Sequence, residues 1–263
     1  MNVAARLEQT ASPGEIVVGE RTASAAIHAF EFAGPETINV KGRRGVVCRR
    51  LIRELDEQRA RGTGNLRPAF VGREQELDSL LDEYRQAVVV GRPRLLTLIG
   101  EAGVGKTALA GRLWERLEGE SPRPLRMVGR CPAYGRGITY APFAEILRSA
   151  LRLLESDASN MVLDRLGPRP ILGLTLGLDV AGDQHPLRAR ERLEEAWVDF
   201  LAALAEDQPL LIVLEDLHWG EEPLLDLVER VISDLQAPLT VVATARPDLP
   251  DGWRARLAES GTL

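Results

Sequence analysis

The stretch of this sequence best equipped to do chemistry is residues 100–107, Gly-Glu-Ala-Gly-Val-Gly-Lys-Thr. It fits the pattern G-x-x-x-x-G-K-[ST], in which glycines let backbone N–H groups close around phosphate oxygens. In such a loop Lys106 reaches the β- and γ-phosphates, and the Thr107 hydroxyl ligates Mg²⁺. We therefore predict that the loop binds ATP or ADP together with Mg²⁺. The predicted contacts come from Gly100, Gly103, Val104, Gly105, Lys106, Thr107 and Ala108.

The chain on either side of this loop has the pattern that the motif requires. Residues 94–99 form an apolar run that predicts a buried strand. After the loop, Leu109, Leu113 and Leu117 recur every four residues, which predicts a helix. A helix that starts near Gly105 directs its positive end at a bound anion. A chance glycine-rich turn is the alternative, but the strand–loop–helix order favours phosphate binding.

A second group of reactive side chains ends the apolar run in residues 210–219, Leu-Leu-Ile-Val-Leu-Glu-Asp-Leu-His-Trp. This run, followed by Glu215 and Asp216, predicts a buried parallel strand that delivers two carboxylates at its C-terminal end. One acid is expected to contact Mg²⁺ and the other to polarise an attacking water, as in a Walker B strand. The sequence does not decide which acid has which role, and solvated acids at a strand end are the alternative. His218 follows and is expected to pack or to hydrogen-bond locally.

A third apolar run, residues 239–244, predicts another buried strand, and Arg246 comes just after it. A cation at this position could sense the γ-phosphate and stabilise the charge that develops during its transfer. We therefore count Arg246 with Glu215 and Asp216 as candidate catalytic residues. The alternative is an ordinary surface arginine at the end of a strand.

The composition indicates a soluble globular protein and argues against several classes. Hydrophobic residues make up 44% of the chain and charged residues 27%, and the net charge of −6 does not indicate a nucleic-acid surface. The two cysteines lie far apart, which argues against a zinc site or a disulfide framework and suits the cytoplasm. No segment of the sequence is apolar enough to cross a bilayer. We therefore expect a cytoplasmic protein that does not itself bind membranes or nucleic acids.

The sequence divides into three parts. Residues 1–54 predict a small α+β unit, residues 55–69 form a polar, charged linker, and residues 70–263 form a nucleotide-binding domain. For this domain we expect an α/β fold, a three-layer sandwich with a parallel sheet and the nucleotide at the C-terminal edge of its strands. The predicted strands are residues 94–100, 125–131, 210–215 and 239–244.

The segments between these strands have different patterns. Helical spacing from residue 143 predicts a helix that turns residues up to Leu154 inward. Residues 156–186 carry many glycines and prolines, so we expect an irregular surface insertion there. Residues 187–205 predict a helix with Trp197 on its buried face and charged residues outward.

Three stretches of the first unit resemble the C-terminal end of a class III adenylate or guanylate cyclase domain. They read Asn2-Val3-Ala4-Ala5-Arg6-Leu7, Pro13-Gly14-Glu15-Ile16-Val17-Val18 and Val40-Lys41-Gly42. The resemblance implies that Asn2 orients a ribose and that Arg6 stabilises charge on an α-phosphate. The family's metal-binding aspartates precede these stretches, so we expect a remnant that cannot cyclise a nucleotide by itself. A plain α+β appendage is the alternative.

Five motifs between residues 70 and 250 resemble, in their order, those of the signal-transducing ATPases with numerous domains (STAND), a branch of the AAA-like P-loop proteins. They are Phe70-Val71-Gly72-Arg73-Glu74, the loop at 100–107, Tyr140-Ala141-Pro142-Phe143, Leu214-Glu215-Asp216-Leu217-His218-Trp219 and Thr244-Ala245-Arg246-Pro247. The resemblance implies that the first motif covers the adenine base, so that Val71 and Arg73 contact the nucleotide. It also implies a switch between an ADP-held closed state and an ATP-bound state that assembles or signals. A cyclase domain followed by such an ATPase is a recurring bacterial arrangement.

STAND proteins continue into a helical domain, a winged helix and often tetratricopeptide repeats, whereas this sequence stops at Leu263. We therefore expect a C-terminally truncated ATPase domain with slow hydrolysis at best, whose protein partners or self-association depend on the missing domains. The leading hypothesis is an ATP/Mg²⁺-binding switch module of a bacterial multidomain signalling or transcription-regulating protein. The alternatives are part of an adenylate cyclase, a non-enzymatic fragment and a small-molecule P-loop kinase.

Overall fold

The structure of the protein is a computed structural model. It describes residues 7, 10–12, 14–27, 30–40, 43–54, 72–133, 139–154, 156–183, 185–249 and 251–258. The chain forms two compact units, Met1–Val71 and Gly72–Leu263.

The first unit is built around one long strand. Its elements are β1 (Val17–Gly19), α1 (Glu20–Ala26), β2 (Phe30–Phe32), β3 (Glu36–Val40) and β4 (Arg43–Glu54). The strands β1, β2 and β3 all pair antiparallel with β4. Between β2 and β3 the chain leaves strand geometry at residues 33–35. Pro35 explains the break, because proline has no N–H to donate to a ladder.

The second unit contains a parallel sheet of four strands. They are β5 (Arg94–Ile99), β6 (Leu125–Arg130), β7 (Leu210–Glu215) and β8 (Leu239–Ala245). Their order across the sheet is β5-β8-β7-β6, and every neighbouring pair is parallel. The four strands and the α/β class predicted from the sequence are confirmed. Since parallel strands end at the same edge, the residues that follow β5, β6, β7 and β8 meet there.

Helices cover both faces of this sheet. They are α2 (Glu74–Val90), α3 (Lys106–Leu117), α4 (Ala141–Leu151), α5 (Ser159–Leu166), α6 (Pro186–Leu204), α7 (Glu222–Asp234) and α8 (Asp251–Ala258). Two short 3-10 helices span Pro170–Leu176 and Leu217–Trp219. On one face, α2 contacts β5 and β8, and α3 contacts β8. The leucines of α3 that the sequence predicted to face inward, at positions 109, 113 and 117, are all buried.

The opposite face packs against α4, α6 and α7. Ile212 and Leu214 of β7 share a buried cluster with Trp197 of α6 and Val228 of α7. Leu211 and the other alternate residues of β7 are equally buried but point to the α2–α3 face. This alternation of two buried faces makes the three-layer sandwich, and it explains why the strands are continuous apolar runs.

The expectation for residues 156–186 was wrong. This segment forms α5 and a 3-10 helix, and Leu172 is among the most deeply buried side chains. The Trp197 indole N–H donates a hydrogen bond to the Thr175 hydroxyl at 3.0 Å. Gly167 ends α5 and Pro170 begins the 3-10 helix, so the glycines and prolines mark the ends of short elements. The prediction for Leu154 was also wrong, because α4 ends at residue 151 and leaves that side chain 63% exposed.

Among the residues that the structure describes, no helix is long and apolar enough to cross a membrane.

Candidate functional site

The loop between β5 and α3 has the backbone that a phosphate-binding loop needs. Gly103 and Gly105 have φ values of 81° and 93°, in the left-handed region that favours glycine. A Cβ on Gly100 would lie 3.0 Å from the Val104 side chain, so this position also has little room for a larger residue. Val104, Thr107 and Ala108 are exposed, and α3 begins at Lys106. The open N–H groups of its first turn can therefore reach an anion.

The Lys106 side chain forms hydrogen bonds to the backbone of its own loop. Its ammonium donates hydrogen bonds to the carbonyl oxygens of Gly100 at 2.6 Å and Glu101 at 2.9 Å. Burial lowers the pKa of Lys106, the carboxylates of Asp216 and Glu101 raise it, and the charges of Arg246 and Arg73 lower it. Four charged side chains from four segments of the chain therefore act on one ammonium group.

The two acids at the C-terminal end of β7 lie in different backbone environments. Glu215 ends the strand, and its side chain is only 13% exposed. Asp216 has a φ of 58°, which is uncommon for a residue other than glycine. Its backbone N–H donates to the hydroxyl of Thr244 at 3.1 Å, and Thr244 is buried near the end of β8. The neighbouring strand thus holds the turn that presents Asp216.

Arg130 is a member of this site that the sequence analysis missed. Its Nε and Nη2 donate to Oε2 of Glu215 at 3.0 and 2.5 Å, and its Nε lies 3.7 Å from Oδ2 of Asp216. Glu145 of α4 accepts the Arg130 backbone N–H at 3.0 Å. Burial opposes the charge of Arg130, but the Glu215 and Asp216 carboxylates raise its pKa. The parallel register sets Arg130 opposite Glu215, so only the strand order could have revealed the pair.

Arg246 and two aromatic side chains form the third part of the site. The Arg246 guanidinium lies 6.0 Å from the ring centre of Trp219, which is 46% exposed. The His218 ring packs 5.1 Å from the same indole. Burial lowers the pKa of His218; the carboxylates of Asp216 and Asp248 raise it, whereas the charges of Arg246 and Lys106 lower it. The expected local packing of His218 is present, but neither ring nitrogen has a hydrogen-bond partner among the described residues.

The structure brings most of the site residues predicted for the second unit together, and three other predicted site residues lie outside its description. Arg73 is the N-cap residue of α2 and has a left-handed backbone with a φ of 64°. Its positive charge lowers the pKa of Lys106. Val71, Asn2 and Arg6 lie outside the described residues.

Nucleophilic cysteine chemistry does not suit this site. Cys131 follows β6 next to the acids, but it is buried. Burial raises the pKa of its thiol to about 12, and the charges of Asp216 and Glu145 act in the same direction. A thiol with this pKa holds its proton near neutrality and is a poor nucleophile.

The donor set fits a magnesium ion that is shared with a nucleotide. No group of three or more His, Cys, Asp or Glu side chains in the described part of the chain could hold a metal by itself. Mg²⁺ typically takes only one or two protein oxygens and completes its shell with phosphates and water. The hydroxyl of the exposed Thr107 and one of the two acids at the end of β7 match that requirement.

A comparison with known proteins identifies a family in the region that contains this site. Residues 69–242 match the family model described as AAA ATPase domain. An uncharacterized protein of Rhizobium meliloti (strain 1021) is 24% identical over 273 residues. The match covers 95% of this chain and 26% of that protein, so this chain spans only a fraction of the length of its relative.

Two solved structures are also similar. The Aeropyrum pernix ORC2 protein, in its ADPNP-ADP complexes, is 15% identical with a TM-score of 0.43, over 76% of this chain and 49% of that one. C. elegans PCH-2 is 12% identical with a TM-score of 0.39, over 72% of this chain and 41% of that one.

Proposed function

This chain belongs to the AAA ATPase domain family, and on that premise we propose that it is an ATP- and Mg²⁺-binding switch module with slow hydrolysis. We propose further that it serves a multidomain bacterial signalling or transcription-regulating protein of the STAND type. In this proposal ADP holds one state, and ATP favours another that engages protein partners or a second copy. The module works in the cytoplasm and does not contact nucleic acid directly.

The observation that carries this proposal is the convergence of charges on Lys106. Its ammonium is held by two carbonyl oxygens of its own loop, and Asp216 and Arg246 act on it from two other strand ends. A polyphosphate in the loop would offer this ammonium charged oxygens in place of neutral carbonyls, which makes stronger hydrogen bonds. In this proposal Arg246 contacts the far end of the polyphosphate.

A bound Mg²⁺ would neutralise charge on the β- and γ-phosphates and orient them for attack by water. We assign its protein ligands to Thr107 and one of the acids Glu215 and Asp216. The other acid would polarise the attacking water. The ion pair between Arg130 and Glu215 supports slow hydrolysis, because a carboxylate held by a guanidinium is less available to metal or water.

For the first unit we propose that it is the C-terminal end of a cyclase-like domain. Its fold, a short helix with three strands paired on β4, is compatible with that proposal. The relative from Rhizobium meliloti matches nearly the whole of this chain, so it contains counterparts of both units. We expect no cyclic-nucleotide synthesis from this chain alone.

Calorimetric titration of the chain with ATP and with ADP, each with Mg²⁺, tests the main proposal. We expect micromolar binding of both nucleotides that Lys106→Ala abolishes. Arg116→Ala is the matched control, since it removes a cation from the last turn of the same helix. Equal binding by Lys106→Ala, or no binding by a wild-type chain with a cooperative unfolding transition, would overturn the proposal and leave a non-enzymatic fragment.

A further inference from the structure

His218 has two buried ring nitrogens, and neither finds a hydrogen-bond partner in the part of the chain that the structure describes. An unpaired buried polar group is unfavourable, and most such groups in proteins are paired. This imidazole does not lie in the apolar core. It follows the two acids in the 3-10 turn after β7 and packs on the exposed Trp219. A partner from outside the protein would explain the arrangement.

The charges around His218 are those of the nucleotide site. Lys106, Arg246 and Asp216 all act on its ring, together with Asp248. In loops of this sequence pattern the lysine reaches the β- and γ-phosphates. The imidazole is therefore within electrostatic reach of the place where the last phosphate of a bound nucleotide would lie.

The neighbouring side chains do not supply the missing hydrogen bond. The Asp216 carboxylate lies 3.7 Å from Arg130, and the Arg246 guanidinium lies over Trp219. Neither is bonded to the imidazole. An imidazole carries at least one N–H in either protonation state, and phosphate oxygens are acceptors. The chemistry of donor and acceptor thus matches without any change in protonation.

We propose that His218 selects a nucleoside triphosphate over a diphosphate by donating a ring N–H to the terminal phosphate. This inference rests on the proposed function, since it needs a nucleotide in the loop. The diphosphate lacks the accepting oxygens, so the imidazole stays unpaired in that complex. Because the His218 ring packs on Trp219, the two complexes also differ at an exposed indole that can report the change.

Calorimetric titration with a non-hydrolysable ATP analogue and with ADP, both with Mg²⁺, tests the proposal on wild type and on two variants. His218→Phe keeps a ring of similar size against Trp219 but has no N–H. We expect it to weaken analogue binding about tenfold, as for the loss of one hydrogen bond to a charged group, and to leave ADP binding unchanged. His218→Asn keeps an N–H donor and should recover part of the preference. His185→Phe is the matched control, because the His185 side chain caps the start of α6.

Two readouts separate a ligand contact from a structural role. Because Trp219 contacts the His218 ring, the tryptophan fluorescence should differ between the analogue and ADP complexes of wild type, and that difference should vanish in His218→Phe. The unfolding temperature of nucleotide-free His218→Phe should equal or exceed that of wild type, because no protein hydrogen bond is lost. This inference is overturned if His218→Phe keeps the wild-type ratio of analogue affinity to ADP affinity. That includes a variant that loses the same affinity for both ligands. A wild-type chain that binds neither ligand overturns the proposed function instead.

Discussion

The guanidinium of Arg130, at the end of β6, holds the carboxylate of Glu215, at the end of β7, with two donors on one oxygen. Arg130 is 51% exposed and Glu215 only 13% exposed, so the pair joins a solvent-facing cation to a mostly buried anion. The residues stand directly opposite each other in the parallel register. The guanidinium would therefore compete with a metal ion or a water molecule for Oε2 of Glu215.

Arg130→Ala is expected to raise Mg²⁺-dependent ATP hydrolysis several-fold, because it frees Glu215 for metal or water. The same change leaves a mostly buried carboxylate unpaired and should lower the free energy of unfolding by about 1 kcal/mol in EDTA. Phosphate release at steady state and urea unfolding measure the two effects. Mg²⁺ with nucleotide should recover much of the stability, since the metal replaces the lost cation.

Arg230→Ala is the control for this experiment. Arg230 pairs with Asp234 along α7, and the two side chains are 45% and 39% exposed. Such a pair contributes about 0.5 kcal/mol or less, so neither turnover nor the response to Mg²⁺ should change. If Arg130→Ala instead lost turnover with nucleotide affinity intact, Arg130 would act on the transferring charge and not as a restraint on Glu215.

Thr244→Val tests the support of the turn at Asp216. It removes the hydroxyl that accepts the Asp216 backbone N–H and keeps nearly the same shape. We expect a loss of about 1–2 kcal/mol in the free energy of unfolding. Weaker nucleotide binding should accompany it, because Asp216 needs its left-handed backbone to face the loop.

Thr240→Val is a close control on the same strand. Thr240 is as buried as Thr244, but its hydroxyl has no partner among the described residues. Removing that hydroxyl should leave stability unchanged or raise it, since a buried unpaired polar group is lost. Equal losses from the two variants would show that the hydrogen bond to Asp216 does not contribute.

The parts of the site that lie on local patterns could be predicted from the sequence. The phosphate-binding loop, the two acids and Arg246 all follow continuous apolar runs, and strands buried on both faces produce such runs. Arg130 could not be found in this way, because its partner lies 85 positions later in the chain. Their contact depends on β6 and β7 being neighbours, which is a property of the whole sheet.

The prediction for residues 156–186 was wrong for a different reason. The described elements of this segment are an α-helix of 8 residues, which is about two turns, and a 3-10 helix, so the apolar spacing is too brief to recognise. Burial of Leu172 and the bond from Trp197 to Thr175 come from packing against α6. Glycine and proline marked element ends there, and sequence reasoning took them as signs of an irregular loop.

Both cysteines should be unreactive in the folded protein at pH 8. Burial raises the pKa of Cys131 to about 12 and also raises that of Cys48. Alkylation with iodoacetamide should therefore be negligible before urea is added and should label both thiols afterwards. Rapid labelling of the native protein at pH 8 would contradict the buried placement.

The same shift predicts a loss of stability in alkali. The folded pKa of Cys131 lies above its ordinary value of 9.0, so the folded state prefers the protonated thiol. The contribution of Cys131 to the free energy of unfolding is fully present below pH 9. It falls by about 1.4 kcal/mol per pH unit between pH 9 and pH 12. Urea unfolding across this range measures it. Cys131→Ala should flatten the slope and leave one alkylable thiol, Cys48.

Alanine at Gly103 should weaken both the loop and nucleotide binding. The backbone there has a φ of 81°, where an L-residue with a Cβ is strained by about 1–2 kcal/mol. No neighbouring atom lies within 4 Å of the added methyl group, so the effect is conformational and not steric. We expect a lower free energy of unfolding and weaker ATP binding, because the strain tilts the N–H groups away from the phosphate.

Gly111→Ala makes the same chemical change within α3 and should have the opposite effect. Gly111 lies in the helix next to the loop, and its Cβ would also meet open space. Alanine there should raise the free energy of unfolding by about 0.5–1 kcal/mol, because glycine is the poorer helix former. Nucleotide affinity should not change, since the first turn of α3 is untouched. If Gly103→Ala lowers the free energy of unfolding and Gly111→Ala raises it, glycine is required by the loop backbone. If both variants change the free energy of unfolding in the same direction, that requirement is refuted.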